Sequence, residues 1–247
     1  HRDGAAVRRE AIQEHLWRLL LDWPDQLSHG DFLHSPKTPR RALFAAWHRR
    51  LKNPAGLDDA GRTGLLALID GELCDAVDTW AARVDAEDVA GRAKSTPDFL
   101  PALSIELLSG PFTHADADFA RRPQLHGRPA ETGALARQWA DDASLGGRLR
   151  ARWRDLRHAV ASSDAAPPVL GVAVAEATGV AGVDTARGLL VHSVRLQEGR
   201  VADYQVIAPT EWNFHPASAW IARLHEAALE SPEIAENRLR RWVLALD

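Results

Sequence analysis

Apolar side chains recur every three or four residues from Ala5 to Trp23, with Ile12, Leu16, Leu19, Leu20 and Trp23 on one stripe. That is the spacing of an α-helix burying one face. Pro24 has no backbone N–H to give and clashes with the preceding turn, so it predicts the end of that helix. Residues 25–39, rich in Asp, Ser, His, Pro and Gly, read as a loop. Arg40 to Leu51 predicts a short helix burying Leu43, Phe44, Trp47 and Leu51. Asp59 to Val84 predicts a long one with Leu65, Leu66, Ile69, Leu73, Val77 and Trp80 along its stripe. Three such stripes in succession predict a helical bundle.

From 88 to 129 the periodicity fades and prolines fall at 97, 101, 111, 123 and 129, which favours a connector of turns and short strands. Helical spacing returns from Ala134 to Val160 through Leu135, Trp139, Leu149, Trp153 and Leu156, where Gly146-Gly147 can split the run in two. Ser162 to Pro168 reads as a loop, and the small, apolar Val169 to Gly182 is compatible with either a strand or a buried helix. Two alternating runs, 188–196 and 201–208, then flank Gln197-Glu198-Gly199-Arg200, predicting a β-hairpin whose Gly199 supplies a positive φ. Trp220 and Leu224 mark a short helix. Ser231-Pro232-Glu233 places an N-cap before a proline at the first helical position of a last helix with Ile234, Leu239, Trp242, Val243 and Leu246. The predicted fold class is α+β, mostly helical, in one domain over 1–247: a helical part at 1–87, a connector at 88–132, and helices plus the hairpin unit 187–210 within 133–247.

Composition narrows the class. At 247 residues, 45% hydrophobic and 26% charged, the chain can bury a sizeable core. A formal net charge of −4 leaves no basic surface for nucleic acid. The densest basic run, Arg148, Arg150, Arg152, Arg154 and Arg157, reads as the wet side of a helix. No apolar run approaches the roughly 18 residues of a membrane span. One cysteine and no signal-peptide pattern point to a cytoplasmic protein. The chain begins without Met, contains none, and stops at Asp247 within a helical pattern, so a longer parent chain is expected.

There is no phosphate-cradling glycine loop with lysine, no His-Glu-x-x-His helix and no Gly-x-Ser-x-Gly elbow. The histidines lack ligand spacing, and His15 reads as structural; Cys74 reads as a small, partly buried hydrophobe, and the tryptophans as core. The neighbouring carboxylates Asp58-Asp59 and Asp141-Asp142 point about 100° apart on a helix and read as surface. What stands out is the hairpin's brackets. Arg187-Gly188 sets a permanent cation at the entry of the first strand, and Pro209-Thr210 a hydroxyl at the exit of the second. Converging at one open end, they suit a small anionic or strongly accepting group. In the bland alternative, Arg187 pairs with Asp184.

The residues also carry a resemblance. Asp184-Thr185-Ala186-Arg187-Gly188, His192, and Tyr204-Gln205 through Pro209-Thr210-Glu211-Trp212-Asn213 resemble the carboxyl-terminal part of nickel–iron hydrogenase large subunits. There a Pro-Arg-Gly segment leads into a hairpin ending in Tyr-Gln-x-x-x-Pro-Ser/Thr-x-Trp-Asn. Gly127-Arg128-Pro129-Ala130-Glu131-Thr132-Gly133-Ala134-Leu135-Ala136-Arg137 resembles the Gly-x-Pro-x-Glu-x-Gly-x-Leu-Ala-Arg signature of the same family. The match is good over roughly 125–247 and follows only in outline before that. Thr210-Glu211-Trp212-Asn213-Phe214-His215-Pro216 and Glu14-His15-Leu16-Trp17-Arg18-Leu19-Leu20-Leu21-Asp22-Trp23-Pro24 resemble the HupK (HoxV) type of hydrogenase expression and formation protein within that family.

The resemblance implies a large-subunit-like helical bundle with an inserted antiparallel unit. It implies that Arg187 and Thr210 donate hydrogen bonds to the cyanides of an iron unit bearing two cyanides and one carbon monoxide. Pro209 and Ala186 would shape the pocket, with Asp184 and His192 nearby. Ala186 and Asp184 stand where catalytic subunits have Pro and Glu. Those subunits hold nickel and iron on two Cys-x-x-Cys pairs, neither of which is in this sequence. The expectation is therefore a maturation scaffold that carries the iron unit transiently, without nickel, with cysteine ligands lying beyond Asp247. Its expected partners are an iron-delivering chaperone and the hydrogenase large subunit. A catalytic large subunit and a vestigial protein-contact module are the alternatives.

Overall fold

The computed structural model describes residues 2–27, 37–53, 55–87, 97–138, 142–162, 169–218, 220–221, 224–225 and 231–246. The expected loops at 25–39 and 162–168 and the start of the connector lie mostly outside the described residues, as do Trp139, Asp141 and Asp247. The chain forms two compact units, residues 1–92 with 144–166, and residues 93–143 with 167–247.

The first unit is helical. Arg2–Trp17 passes through a π-helical turn, Arg18–Asp22, into Trp23–Leu27, so the helix does not stop at Pro24. Proline removes one backbone bond, and the wider turn before it absorbs the loss: the Trp23 N–H reaches back to the Arg18 carbonyl. The helix expected over 59–84 is likewise interrupted. Asp59–Leu68 and Cys74–Glu87 are joined by the π-turn Ile69–Leu73, where Gly71 leaves helical angles at φ −102°, ψ −108°. Trp153 donates its indole N–H to the Ile69 carbonyl in this turn at 2.8 Å. Lys37–Lys52 and Leu145–Ala161 complete the unit. Leu16, Leu19, Trp23, Leu65, Ile69, Trp80 and Leu156 are fully buried, and Trp23 meets Trp80 edge to face at 6.4 Å.

Helix Leu145–Ala161 corrects two expectations. The run over 134–160 does split into two helices, Ala134–Gln138 and Leu145–Ala161, but Gly146 and Gly147 begin the second rather than mark the break: their N–H groups donate to Asp85 Oδ1 at 2.8 Å and to Ser144 Oγ at 3.0 Å. A Cβ on Gly146 would sit 2.2 Å from Asp85 Oδ2. The arginines are not all on a wet face either, since Arg148 and Arg152 are buried. Positions 145, 148, 149, 152 and 156 share the inward stripe, and the Arg152 guanidinium lies 5.8 Å from the Trp23 ring. Arg150 and Arg157 do remain outside, paired with Asp78 and Asp70. His15, buried and bonded to Asp155 at 3.0 Å, has the structural role expected of it.

The second unit holds the β-structure. β1 (Asp98–Phe99) and β2 (Ala130–Glu131) pair in parallel. The connector between them also contains the short helices Ile105–Ser109 and Ala117–Arg121, each started by a capping side chain, Ser104 and Asp116. The segment compatible with strand or helix is strand: β3 (Val169–Ala175) and β4 (Thr178–Thr185) form a hairpin. It continues into β5 (Gly188–Gln197) and β6 (Arg200–Ile207), making a four-stranded antiparallel sheet in the order β3-β4-β5-β6. Glu198 and Gly199 at the β5–β6 turn both have positive φ, 51° and 74°, as a tight two-residue turn requires.

One face of this sheet packs through Val180, Leu189, Val191 and Ile207 against Leu103, Leu108, Phe112 and Trp212. Gly182 permits the close approach, since a Cβ there would lie 2.8 Å from Leu103. Pro209–Asn213 forms a short helix directly after β6, and Pro232–Leu246 is the last helix. Trp242 of that helix stacks on Trp220 at 6.3 Å and 15°. The fold is thus mostly helical α+β, as the sequence predicts.

Candidate functional site

The antiparallel register places Val191 opposite Ile207. The start of β5 and the residues after β6 therefore lie at the same end of the sheet, which is where Arg187-Gly188 and Pro209-Thr210 stand. Ala186 and Pro209 are buried, Thr210 and Asp184 are half-buried, and Arg187 is exposed. The bracket residues therefore stand at one end of the sheet, two of them buried and apolar. His192 is apart from this end. It stands along β5 on the face opposite Val191, stacked on Tyr204 at 5.8 Å and sharing a hydrogen bond with its hydroxyl at 2.6 Å.

A second segment, 130–137, interlocks with the β4–β5 turn. Gly188 has φ +129°, and a Cβ there would meet Thr132 Cγ2 at 2.4 Å. Gly133 has φ +105°, and a Cβ there would meet the Arg187 carbonyl oxygen at 2.8 Å. Only glycine fits both positions, because both the backbone conformation and the space exclude a side chain. Thr132 Oγ1 accepts the Leu189 N–H at 2.9 Å, and Thr185 Oγ1 donates to the Gly188 carbonyl at 2.8 Å.

Arg137 holds the turn from the other side. It donates to the Asp184 carboxylate, to the Thr185 carbonyl at 3.1 Å and to the Ala186 carbonyl at 3.4 Å. Asp184 is thus an anchor of the turn that presents Arg187. The role of Arg137 was not foreseen from sequence, although it closes the signature segment 127–137 and is a cation within reach of the Asp184 turn once the loops meet.

Asn213 is a further residue that the sequence does not single out. It is 2% exposed, its Oδ1 accepts the Thr132 N–H at 2.9 Å, and its Nδ2 donates to the Leu246 carbonyl at 3.0 Å. Its own carbonyl accepts the Trp220 indole N–H at 2.9 Å. Two residues on, His215 is buried, with Nδ1 accepting the Ala217 N–H at 3.1 Å. Burial first, and then the charge of Arg122, hold its pKa below the ordinary 6.5. It is therefore a neutral imidazole.

Chemically, this end of the sheet offers a permanent cation and a hydroxyl, both hydrogen-bond donors, beside buried apolar residues. It suits an acceptor-rich or anionic group rather than a bare cation. Among the described residues no cluster of three or more His, Cys, Asp or Glu is placed to hold a metal ion. Cys74 is in the first unit, half-buried, with its thiol pKa raised by burial and by the carboxylates of Asp78, Asp75 and Asp70. No helix of the described residues is long and apolar enough to cross a membrane.

Residues 147–238 match the nickel-dependent hydrogenase family. Over 152 residues, 62% of this chain and 43% of the relative, the sequence is 38% identical to the hydrogenase expression/formation protein HupK of Azotobacter vinelandii. It is 34% identical over 271 residues to HupK of Rhizobium leguminosarum bv. viciae, covering 99% of this chain and 73% of that one. It is 32% identical over 279 residues to HoxV of Cupriavidus necator, covering 94% and 72%. The chain thus spans less than half of the first relative and under three quarters of the other two. The fold is similar to that of the Ni-Fe-Se hydrogenase from D. vulgaris Hildenborough in the reduced state, with a TM-score of 0.59 at 13% identity over all of this chain and 81% of that one. Two relatives above 30% identity, each covered over more than two thirds of its length, settle the kinship: this chain belongs to the hydrogenase expression/formation protein family that includes HupK and HoxV.

Proposed function

We propose that the protein acts in the maturation of a nickel–iron hydrogenase as a cytoplasmic scaffold that transiently carries an iron unit bearing two cyanides and a carbon monoxide. The observation that supports this reading is that exposed Arg187, half-buried Thr210 and buried Ala186 and Pro209 all stand at one end of the sheet. Metal-bound cyanide is a partly negative acceptor at its nitrogen. A guanidinium and a hydroxyl donate to such atoms, and buried Ala186 and Pro209 give the site an apolar backing. The iron unit is cargo rather than a resident cofactor. The unit would arrive from an iron-delivering chaperone and leave for the hydrogenase large subunit.

Infrared spectroscopy with iron and nickel analysis, on the anaerobically purified full-length protein, tests this. Cyanide and carbonyl bands with iron and without nickel support the scaffold. Bands accompanied by both metals would make the protein catalytic. A spectrum without bands, from protein co-produced with the iron-delivery machinery, would leave a module for protein contacts only.

A further inference from the structure

We infer that Asn213 is a positioning residue that makes the carboxyl end of the last helix move as one body with the turn that presents Arg187. The amide's two ends are used by different parts of the chain. Its oxygen takes the Thr132 N–H and its nitrogen gives to the Leu246 carbonyl, at 2.9 and 3.0 Å. The assignment of oxygen and nitrogen follows from the partners, because a backbone N–H can only donate and a carbonyl can only accept. Thr132 in turn holds the Leu189 N–H through its hydroxyl. A continuous path therefore runs from the first residues of β5, through Thr132 and Asn213, to the last turn of helix Pro232–Leu246.

Burial makes this path stiff. Asn213 is 2% exposed and Leu246 4%, so water cannot replace either partner when one lets go. The helix end is further held by Trp242, stacked on the same Trp220 whose indole N–H bonds to the Asn213 carbonyl. Whatever displaces the 187–188 turn must pull on Thr132, and through Asn213 on Leu246. The hydrogen-bond path stands whatever the site carries. That it lets loading of the site be felt at the helix end rests on the proposed iron-carrier function.

Amide hydrogen exchange read by mass spectrometry on the whole chain tests the coupling. Asn213→Asp keeps an acceptor for Thr132 but faces the Leu246 carbonyl with a second acceptor. Exchange over 242–246 and over 187–189 should both quicken by about tenfold or more. The decisive variant is Thr132→Val, which removes the hydroxyl from the site side and has no bond to the helix. It should also quicken exchange at 242–246, and Thr132→Ser should restore the slow rate. If Thr132→Val changes only 187–189, the coupling is overturned even where Asn213→Asp fails to fold. The infrared result is separate: coupled exchange in a protein without iron bands would remove the carrier and keep the positioning role.

Discussion

Replacing Arg137 by Leu removes the guanidinium that holds the β4–β5 turn and leaves only a shorter aliphatic group. The bonds lost include the one to the Asp184 carboxylate and those to the Thr185 and Ala186 carbonyls. A bond from a charged donor contributes about 1.5–3 kcal/mol before solvent screening, while the 3.4 Å bond to Ala186 counts for little. The Arg137 and Asp184 side chains are 24% and 15% exposed, so water reaches the stranded carboxylate only in part. The net cost should be about 2–3 kcal/mol, below the range for a fully buried pair. Read as local opening of the turn, that is roughly 30- to 150-fold faster amide exchange across 184–189. Adding Asp184→Asn to Arg137→Leu removes the stranded charge, so the double variant should lose less than the two singles together. An acceleration under about threefold in Arg137→Leu would show that the turn keeps its shape without this anchor.

Gly188→Ala should cost about 2–4 kcal/mol, because a positive φ and the 2.4 Å approach to Thr132 are both violated. Thermal unfolding within a degree of wild type would mean that the two loops do not interlock. Arg187→Ala should lower iron loading while leaving the unfolding midpoint in place, since an exposed side chain adds little packing; undiminished cyanide bands would take Arg187 out of the site. Thr210→Val keeps the shape and removes the hydroxyl, at about 1–3 kcal/mol of cargo affinity if it serves a shielded acceptor. Unshifted infrared bands would speak against that contact. His215 has its folded pKa pushed below 6.5, so the unfolded chain binds the proton first as pH falls. The stability tied to neutral His215 is complete above about 6.5 and is lost as pH drops toward the folded pKa. The denaturation midpoint should fall less between pH 7.5 and pH 5.5 in His215→Asn than in wild type, and equal falls would place the pH dependence elsewhere.

Much of the fold was legible from periodicity because the first helices and the hairpin each bury one face. The failures have physical causes. Pro24 was read as a terminator because proline removes a bond, but a π-turn spends one extra residue and lets the helix pass. Residue type alone predicts Arg148 and Arg152 to be wet. Their spacing with Leu145, Leu149 and Leu156 already put them inward, where Arg152 finds the face of Trp23. Val169 to Gly182 gave no periodicity because glycine and alanine blur both faces, and the sheet register alone shows it to be two strands.

The site was legible at its ends and not in its middle. Arg187, Pro209 and Thr210 could be paired by hairpin geometry, since entry and exit of two antiparallel strands are neighbours. Thr132, Gly133, Arg137 and Asn213 lie on other segments, and only the tertiary fold brings them to the turn. Once it does, the separate motifs become one constraint. Gly133 must be glycine because of the Arg187 carbonyl, Gly188 because of Thr132, and Asn213 needs its amide because Thr132 and Leu246 face it with opposite demands. A change in any one of these segments is therefore felt first in the others. These bonds fix the backbone on both sides of Arg187, the segment on which the proposed carrier function depends.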